Sequence, residues 1–257
     1  KTLLAMVETM EGLKFISVER IRDELSTILL SKHPSRGIRM LFDLGIMKYI
    51  LPELMTMASF LQYNPHHHKD VLGHTLDVLD HIPSTLPLRL AALFHDSGKP
   101  GTFTVDDHAI GHFYGHEHRS STLAKETLLR LRYDHKTIEK VAKLVAFHMV
   151  STQMKNPVKI KKLIIDLGQE HIDDLLALKM ADVSGKPKRD DSPLADIQAF
   201  QGRIQEILKR KDPLTIKDLA VNGQDLMALG MKEGKAVGQT LQELLLYVLK
   251  HPEQNEK

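Results

Sequence analysis

The sequence contains no cysteine and no tryptophan. Without cysteine the protein can have no disulfide framework, no thiolate nucleophile, no thiolate zinc site and no iron–sulfur cluster. Any metal ion that it binds must therefore be held by nitrogen and oxygen ligands.

Long hydrophobic runs are missing as well. No apolar run approaches the ~18 residues that a membrane span requires, and the N-terminus lacks the basic-then-apolar pattern of a secretion signal. These absences predict a cytoplasmic protein without a membrane partner. The chain begins at Lys1 rather than Met, and its first segment has the pattern of the middle of a helix, so we expect a fragment or a processed product.

Charge is nearly balanced over the 257 residues, with a formal net charge of +2, but it is distributed unevenly. Between Arg119 and Lys162, eleven Lys and Arg residues stand against three acidic ones, a net charge of +8 that leaves −6 on the rest of the chain. Such a segment favours polyanionic partners. A solvated helix face would have the same composition, and both interpretations stay open.

Histidine is concentrated in one part of the sequence. Ten of the fifteen histidines lie between His66 and His118, where a uniform distribution would place about three. This excess indicates metal or proton chemistry. Individual histidines in the group can still be ordinary core or surface residues.

Helical periodicity dominates the sequence and predicts an all-α fold with one small β-hairpin. Apolar residues recur at helical spacing in most segments, whereas β-forming residues flank an Asp106-Asp107-His108 turn within residues 102–114. We predict three regions: a helical neck and body at 1–61, a histidine-rich domain at 62–185 and a helical tail at 186–257. Their boundaries fall at a turn-like segment, 62–69, and at a charged linker, 184–192.

The most informative string is Phe-His-Asp-Ser-Gly-Lys-Pro at residues 94–100, at the polar end of an apolar helix. Other polar residues also border hydrophobic helix faces. The set comprises His74, His95, Asp96, His116, His148 and Asp182. Burying such groups without partners costs free energy, and a shared metal ion would satisfy all of them. Imidazole and carboxylate ligands suit Mn, Fe, Co, Ni, Mg or Zn, and the sequence does not distinguish among these.

The order of these residues resembles that of the HD superfamily of metal-dependent phosphohydrolases. The resemblance implies one metal ion on His74, His95, Asp96 and Asp182, and a second on His116 and His148 with Asp96 as the bridge. It also implies that Asp96 and Lys99 act in catalysis, by activating water and by holding a substrate phosphate. Arg119 is a weaker candidate for the phosphate. Residues 62–185 would then be an HD domain.

Longer segments resemble bacterial class II tRNA nucleotidyltransferases, the CCA-adding enzymes related to poly(A) polymerases. Residues 16–54 look like their neck and body, 66–118 like the HD insertion of many members, and 214–247 like their C-terminal segment. The family's nucleotidyl transfer uses a Gly-Ser, an Asp-x-Asp and a Glu-Asp-x-x-Arg motif, none of which occurs here. We therefore do not expect this chain to add CCA.

Two functions follow from these resemblances. The first is a phosphohydrolase acting on nucleotide or RNA-terminal phosphates, such as 2′,3′-cyclic phosphates. The alternative is the tRNA-binding body and tail of a CCA-adding enzyme, with RNA contacts at Lys155, Lys159, Lys161 and Lys162. Hydrolysis of a signalling dinucleotide is less favoured, because the Gly-Tyr-Pro extension of cyclic-di-GMP enzymes is absent.

Overall fold

The structure, a computed structural model, describes residues 2–58, 60, 70–108, 110–186 and 192–256. Its helices are α1 (Thr2–Thr9), α2 (Val18–Leu30), α3 (Pro34–Asp43), α4 (Met47–Ile50), α5 (Val71–His81), α6 (Leu86–Phe94), α7 (His116–Arg130), α8 (His135–Phe147), α9 (Pro157–Leu167), α10 (Ile172–Ser184), α11 (Ser192–Arg210), α12 (Gly223–Ala228) and α13 (Lys235–Lys250). The strands are β1 (Thr104–Val105) and β2 (Gly111–His112). Short 3₁₀ turns occur between several of these elements.

The chain forms two compact units. The first comprises Lys1–Val150 and Asp173–Leu194, and the second comprises Ser151–Ile172 and Ala195–Lys257. The first unit contains α1 to α8 and nearly all of α10, whereas the second contains α9, most of α11, α12 and α13.

Helix α6 lies at the centre of the first unit. Its residues from 88 to 94 are all buried, and it packs against α2, α5, α7 and α8. A helix with apolar residues on all sides is stable only when it is enclosed in this way. The enclosed helix ends at Phe94, so His95 and Asp96, which follow it, are also buried.

Three of the helices around α6, namely α2, α5 and α8, begin at capping side chains that the sequence supplies. Ser17 accepts a hydrogen bond from the backbone N–H of Arg20 at the start of α2. Asp70 caps α5 and Asp134 caps α8 in the same manner. These side chains satisfy backbone donors that the first helical turn leaves without partners.

The two short strands form an antiparallel hairpin in which Thr104 pairs with His112 and Val105 with Gly111. Asp106 fixes the turn, because its Oδ1 accepts hydrogen bonds from the backbone N–H groups of His108 and Ile110, each at 2.9 Å. Only three residues separate β2 from α7, so the hairpin lies close in sequence to His116, the first residue of α7.

In the second unit, α9 begins at Asn156, whose side chain accepts hydrogen bonds from the N–H groups of Val158 and Lys159. Apolar residues on α9, α11 and α13 form the core of this unit. They are Ile160, Leu163, Ile164, Leu167, Ile197, Phe200, Ile204, Ile207, Leu241, Val248 and Leu249.

The predicted fold class, all-α with a small hairpin, is confirmed. The segment predicted as a turn, 62–69, and most of the predicted linker, 187–191, lie outside the described residues. The division into 1–61, 62–185 and 186–257 stays a prediction. Within the described ranges, no helix combines the length and the apolar character that crossing a bilayer would demand.

Candidate functional site

Five helices of the first unit bring the six predicted metal ligands together. His74 lies in the middle of α5, His95 and Asp96 follow α6, and His116 opens α7. His148 caps the C-terminus of α8, and Asp182 lies in the last turn of α10. The four histidines and Asp96 are each at most 5% exposed, and the Asp182 side chain is 22% exposed.

Asp96 lies between two groups of histidines and directs one carboxylate oxygen to each. Its Oδ2 is 3.3 Å from Nε2 of His95 and 3.8 Å from Nε2 of His74. Its Oδ1 is 3.3 Å from Nε2 of His116 and 3.7 Å from Nε2 of His148. The cluster thus contains two triads, His74–His95–Asp96 and Asp96–His116–His148, and within each triad the ligand atoms lie within 4.8 Å of one another. This arrangement suits a carboxylate that bridges two metal ions.

Asp182 adds a second carboxylate to one side of the cluster. Its Oδ1 lies 2.8 Å from Nε2 of His74 and 3.9 Å from Nε2 of His95. The Oδ2 side of Asp96 therefore faces two imidazoles, a further carboxylate and the ammonium of Lys99, whereas its Oδ1 side faces two imidazoles.

Three histidines share a local geometry that fixes their tautomer. In His95, His116 and His148, Nδ1–H donates a hydrogen bond to the carbonyl three residues earlier. The acceptors are Ala92 (2.8 Å), Phe113 (2.8 Å) and Val145 (2.6 Å). Because a carbonyl can only accept, Nδ1 carries a proton, and each ring in its neutral form presents a lone pair at Nε2.

These lone pairs face one another across the cluster. Nε2 of His116 lies 3.3 Å from Nε2 of His148, and Nε2 of His95 is buried with no hydrogen-bond partner among the described residues. Two acceptors at such a distance repel unless a cation lies between them. Two ligands on one metal ion, each about 2.1 Å from it, would be separated by a similar distance. The donor set therefore fits a divalent metal ion.

Both carboxylates of the cluster are ionised. Burial alone would raise the pKa of Asp96, but His95 and Lys99 outweigh it and hold that pKa well below its ordinary value. Burial would likewise raise the pKa of Asp182, but the ammonium of Lys186, 2.7 Å from Oδ2, outweighs burial and holds that pKa well below its ordinary value. The cluster thus has two negative ligands available at neutral pH.

The pKa values of His95 and His148 shift in opposite directions. Burial opposes protonation of His95, but the neighbouring Asp96 carboxylate overcomes it and raises the pKa. Burial lowers the pKa of His148, which keeps that ring in the neutral, metal-binding form.

A cleft of about 400 Å³ opens onto the cluster. Lys99 is a buried residue that lines it, with Nζ 2.7 Å from Asp96 Oδ2 and 5.4 Å from the centre of the Phe113 ring. Lys186 lines the same cleft and pairs with Asp182. Lys186 lies two residues past the end of α10 and four residues after Asp182, in the segment predicted from the sequence as a linker, so its place in the cleft was missed.

Gly98 lets the His95–Asp96 turn approach α7 closely. A Cβ atom at this position would lie 2.6 Å from the carbonyl oxygen of His116 and 2.7 Å from the backbone nitrogen of Ser120. The Gly98 N–H also donates to Ser120 Oγ at 2.8 Å. This contact sets the separation of Asp96 and His116.

Arg119, the weaker phosphate candidate, is exposed and is not among the residues that line the cleft. Its guanidinium lies against Gly101, where an added Cβ would clash with Nε. Arg119 thus lies beside Gly98 and Gly101, and its role toward a phosphate stays a prediction.

The four predicted RNA contacts all lie in the second unit. Lys155, Lys159 and Lys162 are exposed. Lys161 is only 3% exposed, with Nζ 2.7 Å from Asp212 Oδ2, and it donates a hydrogen bond to the carbonyl of Leu249 at 3.0 Å. Its ammonium is thus engaged within the unit.

Two family models match the chain. Residues 1–57 match a model described as the probable RNA and SrmB-binding site of polymerase A. Residues 118–257, more than half of the chain, match a model described as the putative domain 2 of tRNA nucleotidyltransferase. The His95–Asp96 pair lies between the two matched ranges.

Curated bacterial proteins are similar over longer stretches. The CC-adding tRNA nucleotidyltransferase of Thermus thermophilus is 34% identical over 237 residues, covering 88% of this chain and 52% of the relative. The A-adding enzyme of Deinococcus radiodurans is 32% identical over 241 residues, covering 90% and 54%. A multifunctional CCA protein of an Azoarcus species is 32% identical over 171 residues, covering 65% and 35%. The chain spans about half the length of the first two relatives.

Proposed function

Because the chain belongs to the tRNA nucleotidyltransferase family, we propose that it forms the tRNA-binding body and tail of such a protein. The observation that carries this proposal is the family match over residues 118–257. The exposed lysines at positions 155, 159 and 162, on and before α9, support it, because phosphate contacts by lysine supply sequence-independent affinity for RNA. The family's nucleotidyl transfer motifs are absent, so these residues serve binding rather than nucleotide addition.

The salt dependence of tRNA binding tests this proposal. If three lysines contact phosphates, the plot of log affinity against log salt concentration should have a slope of about −3. Changing Lys155, Lys159 and Lys162 together to Glu should remove most of the binding. The control reverses three exposed lysines of the same unit, Lys217, Lys232 and Lys235. Equal losses in both variants would refute the assignment of the tRNA contacts to Lys155, Lys159 and Lys162.

A second function is favoured by the bridging position of Asp96. We propose that the first unit is a metal-dependent phosphohydrolase for nucleotide or RNA-terminal phosphates. Divalent ions held by the six ligands would supply electrophilic stabilisation of phosphate oxygens and an acidified water. Asp96 and Asp182 would orient the site, while Lys99 and Lys186 would place positive charge beside the substrate phosphate.

Turnover of a 2′,3′-cyclic nucleotide or a chromogenic phosphodiester tests the second function. The chain is stripped by a chelator and resupplied separately with Mn, Fe, Co, Ni, Mg or Zn. We expect hydrolysis with at least one of these ions and its loss in His95→Ala. Hydrolysis that persists at the original rate in His95→Ala would rule out this site as its source.

A further inference from the structure

One wall of the cleft carries an aromatic surface that chemistry at phosphorus does not use. Tyr114 is 77% exposed and lines the cleft just after β2. Its ring lies nearly parallel to the imidazole of His112, with ring centres 5.1 Å apart and an interplanar angle of 8°. The pair presents a flat, solvent-accessible aromatic face beside a cluster built from charged and imidazole groups.

The hairpin holds this face in a fixed orientation. His112 Nε2 lies 2.8 Å from Asp106 Oδ2, and the other oxygen of Asp106 accepts the two backbone hydrogen bonds that close the turn. Tyr114 is therefore stacked on a ring that is itself anchored to the turn. A ring oriented before the ligand arrives loses little conformational entropy when the ligand stacks on it.

A second exposed hydrophobic side chain lines the same cleft. Met149 follows the metal-ligand residue His148 and is 56% exposed. A bare phosphate would need only the metal cluster and the lysines, so Tyr114 and Met149 would have no role in binding it. A ligand that uses the whole cleft has a planar, apolar part joined to a phosphate.

We propose that Tyr114 stacks on the nucleobase of a nucleoside phosphate whose phosphate lies at the metal cluster. The hairpin would thereby select nucleotides and RNA ends over phosphate esters that lack a base. Nucleobases stack readily on aromatic side chains, and a cleft of about 400 Å³ is within the usual size range for small ligands. This inference rests on the proposed phosphohydrolase function and names the residue that would give it specificity.

Equilibrium binding to the full chain supplied with Mn²⁺ tests the inference without measuring turnover. Adenosine 5′-monophosphate and ribose 5-phosphate share ribose and phosphate and differ only in the base. We expect Tyr114→Ala to weaken the nucleotide about tenfold, a typical loss for one base-stacking contact, and to leave ribose 5-phosphate unchanged. Tyr114→Phe, which keeps the ring, should bind both ligands as the parent does. Tyr247→Ala, an exposed tyrosine of the second unit, is the matched control.

The outcomes separate this inference from the function on which it rests. If the parent chain binds both ligands equally, or if Tyr114→Ala weakens them equally, the base-stacking role is refuted and the phosphate site stands. If the parent chain binds neither these ligands nor a short RNA with a 3′-terminal phosphate, both proposals are refuted. If Tyr114 strengthens binding of the RNA only, the inference is supported, and the base that stacks on Tyr114 is that of an RNA end.

Discussion

Replacing Asp96 by Asn should weaken divalent metal binding by more than about 100-fold. Residues that merely support metal ligands commonly contribute 10- to 100-fold in affinity, and Asp96 contributes one oxygen directly to each triad. The amide keeps the size of the side chain and loses its negative charge, so the two groups of imidazoles would no longer share an anionic ligand.

The measurement is metal titration by calorimetry, together with the rise in melting temperature that a bound ion gives. We expect the ion to stabilise the parent chain and to have little effect on Asp96→Asn. Asp134→Asn is the control, because it makes the same substitution in the same unit at a helix cap, a role that Asn also fills. Unchanged stoichiometry and affinity in Asp96→Asn would contradict the bridging role.

The two triads can be separated by stoichiometry. His74→Ala and His148→Ala each remove a ligand from one triad only. If Asp96 bridges two ions, each variant should lose about one bound ion and retain the other. Binding of a single ion by the parent chain would instead assign Asp96 to one centre.

Much of the fold could be predicted because its signals are local. Ser17, Asp70 and Asn156 each precede an apolar periodic segment, and each caps the helix that follows. Helix α12 is harder to predict, although Asn222 and Asp225 form a capping box at its start. Its six residues are too few to establish a helical period.

The sequence predicted which residues form the cluster, but it did not predict the contacts that depend on the geometry of the folded chain. Histidine and aspartate beside apolar helix faces indicate ligands, and the structure brings all six together. The sequence did not predict the aromatic face of Tyr114 on His112, because that contact depends on hairpin geometry. The i, i+3 relation of Lys161 to buried Ile164 places that lysine on the inner face of α9, whereas its charge suggested exposure.

Lys161→Met should therefore destabilise the second unit by about 3 kcal/mol, because removing one partner leaves a largely buried charge uncompensated. Asp212, 13% exposed, would lose its ion pair, and the carbonyl of Leu249 would lose a donor. Met retains the length of the side chain, so the change tests the ammonium rather than the packing. Hydrogen exchange of the α9 and α13 amides should become about 100-fold faster.

The neighbouring Lys162 provides the contrast in RNA binding. Lys162→Ala removes an exposed charge, so we expect a stability change within about 0.5 kcal/mol. If Lys162 contacts a phosphate, its loss should weaken tRNA binding and reduce the salt slope by about one. Lys161→Met, measured where it is folded, should bind tRNA with unchanged affinity. The opposite pattern, with stability intact and tRNA affinity lost in Lys161→Met, would return Lys161 to the RNA contacts and exclude the ion pair with Asp212 as its main role.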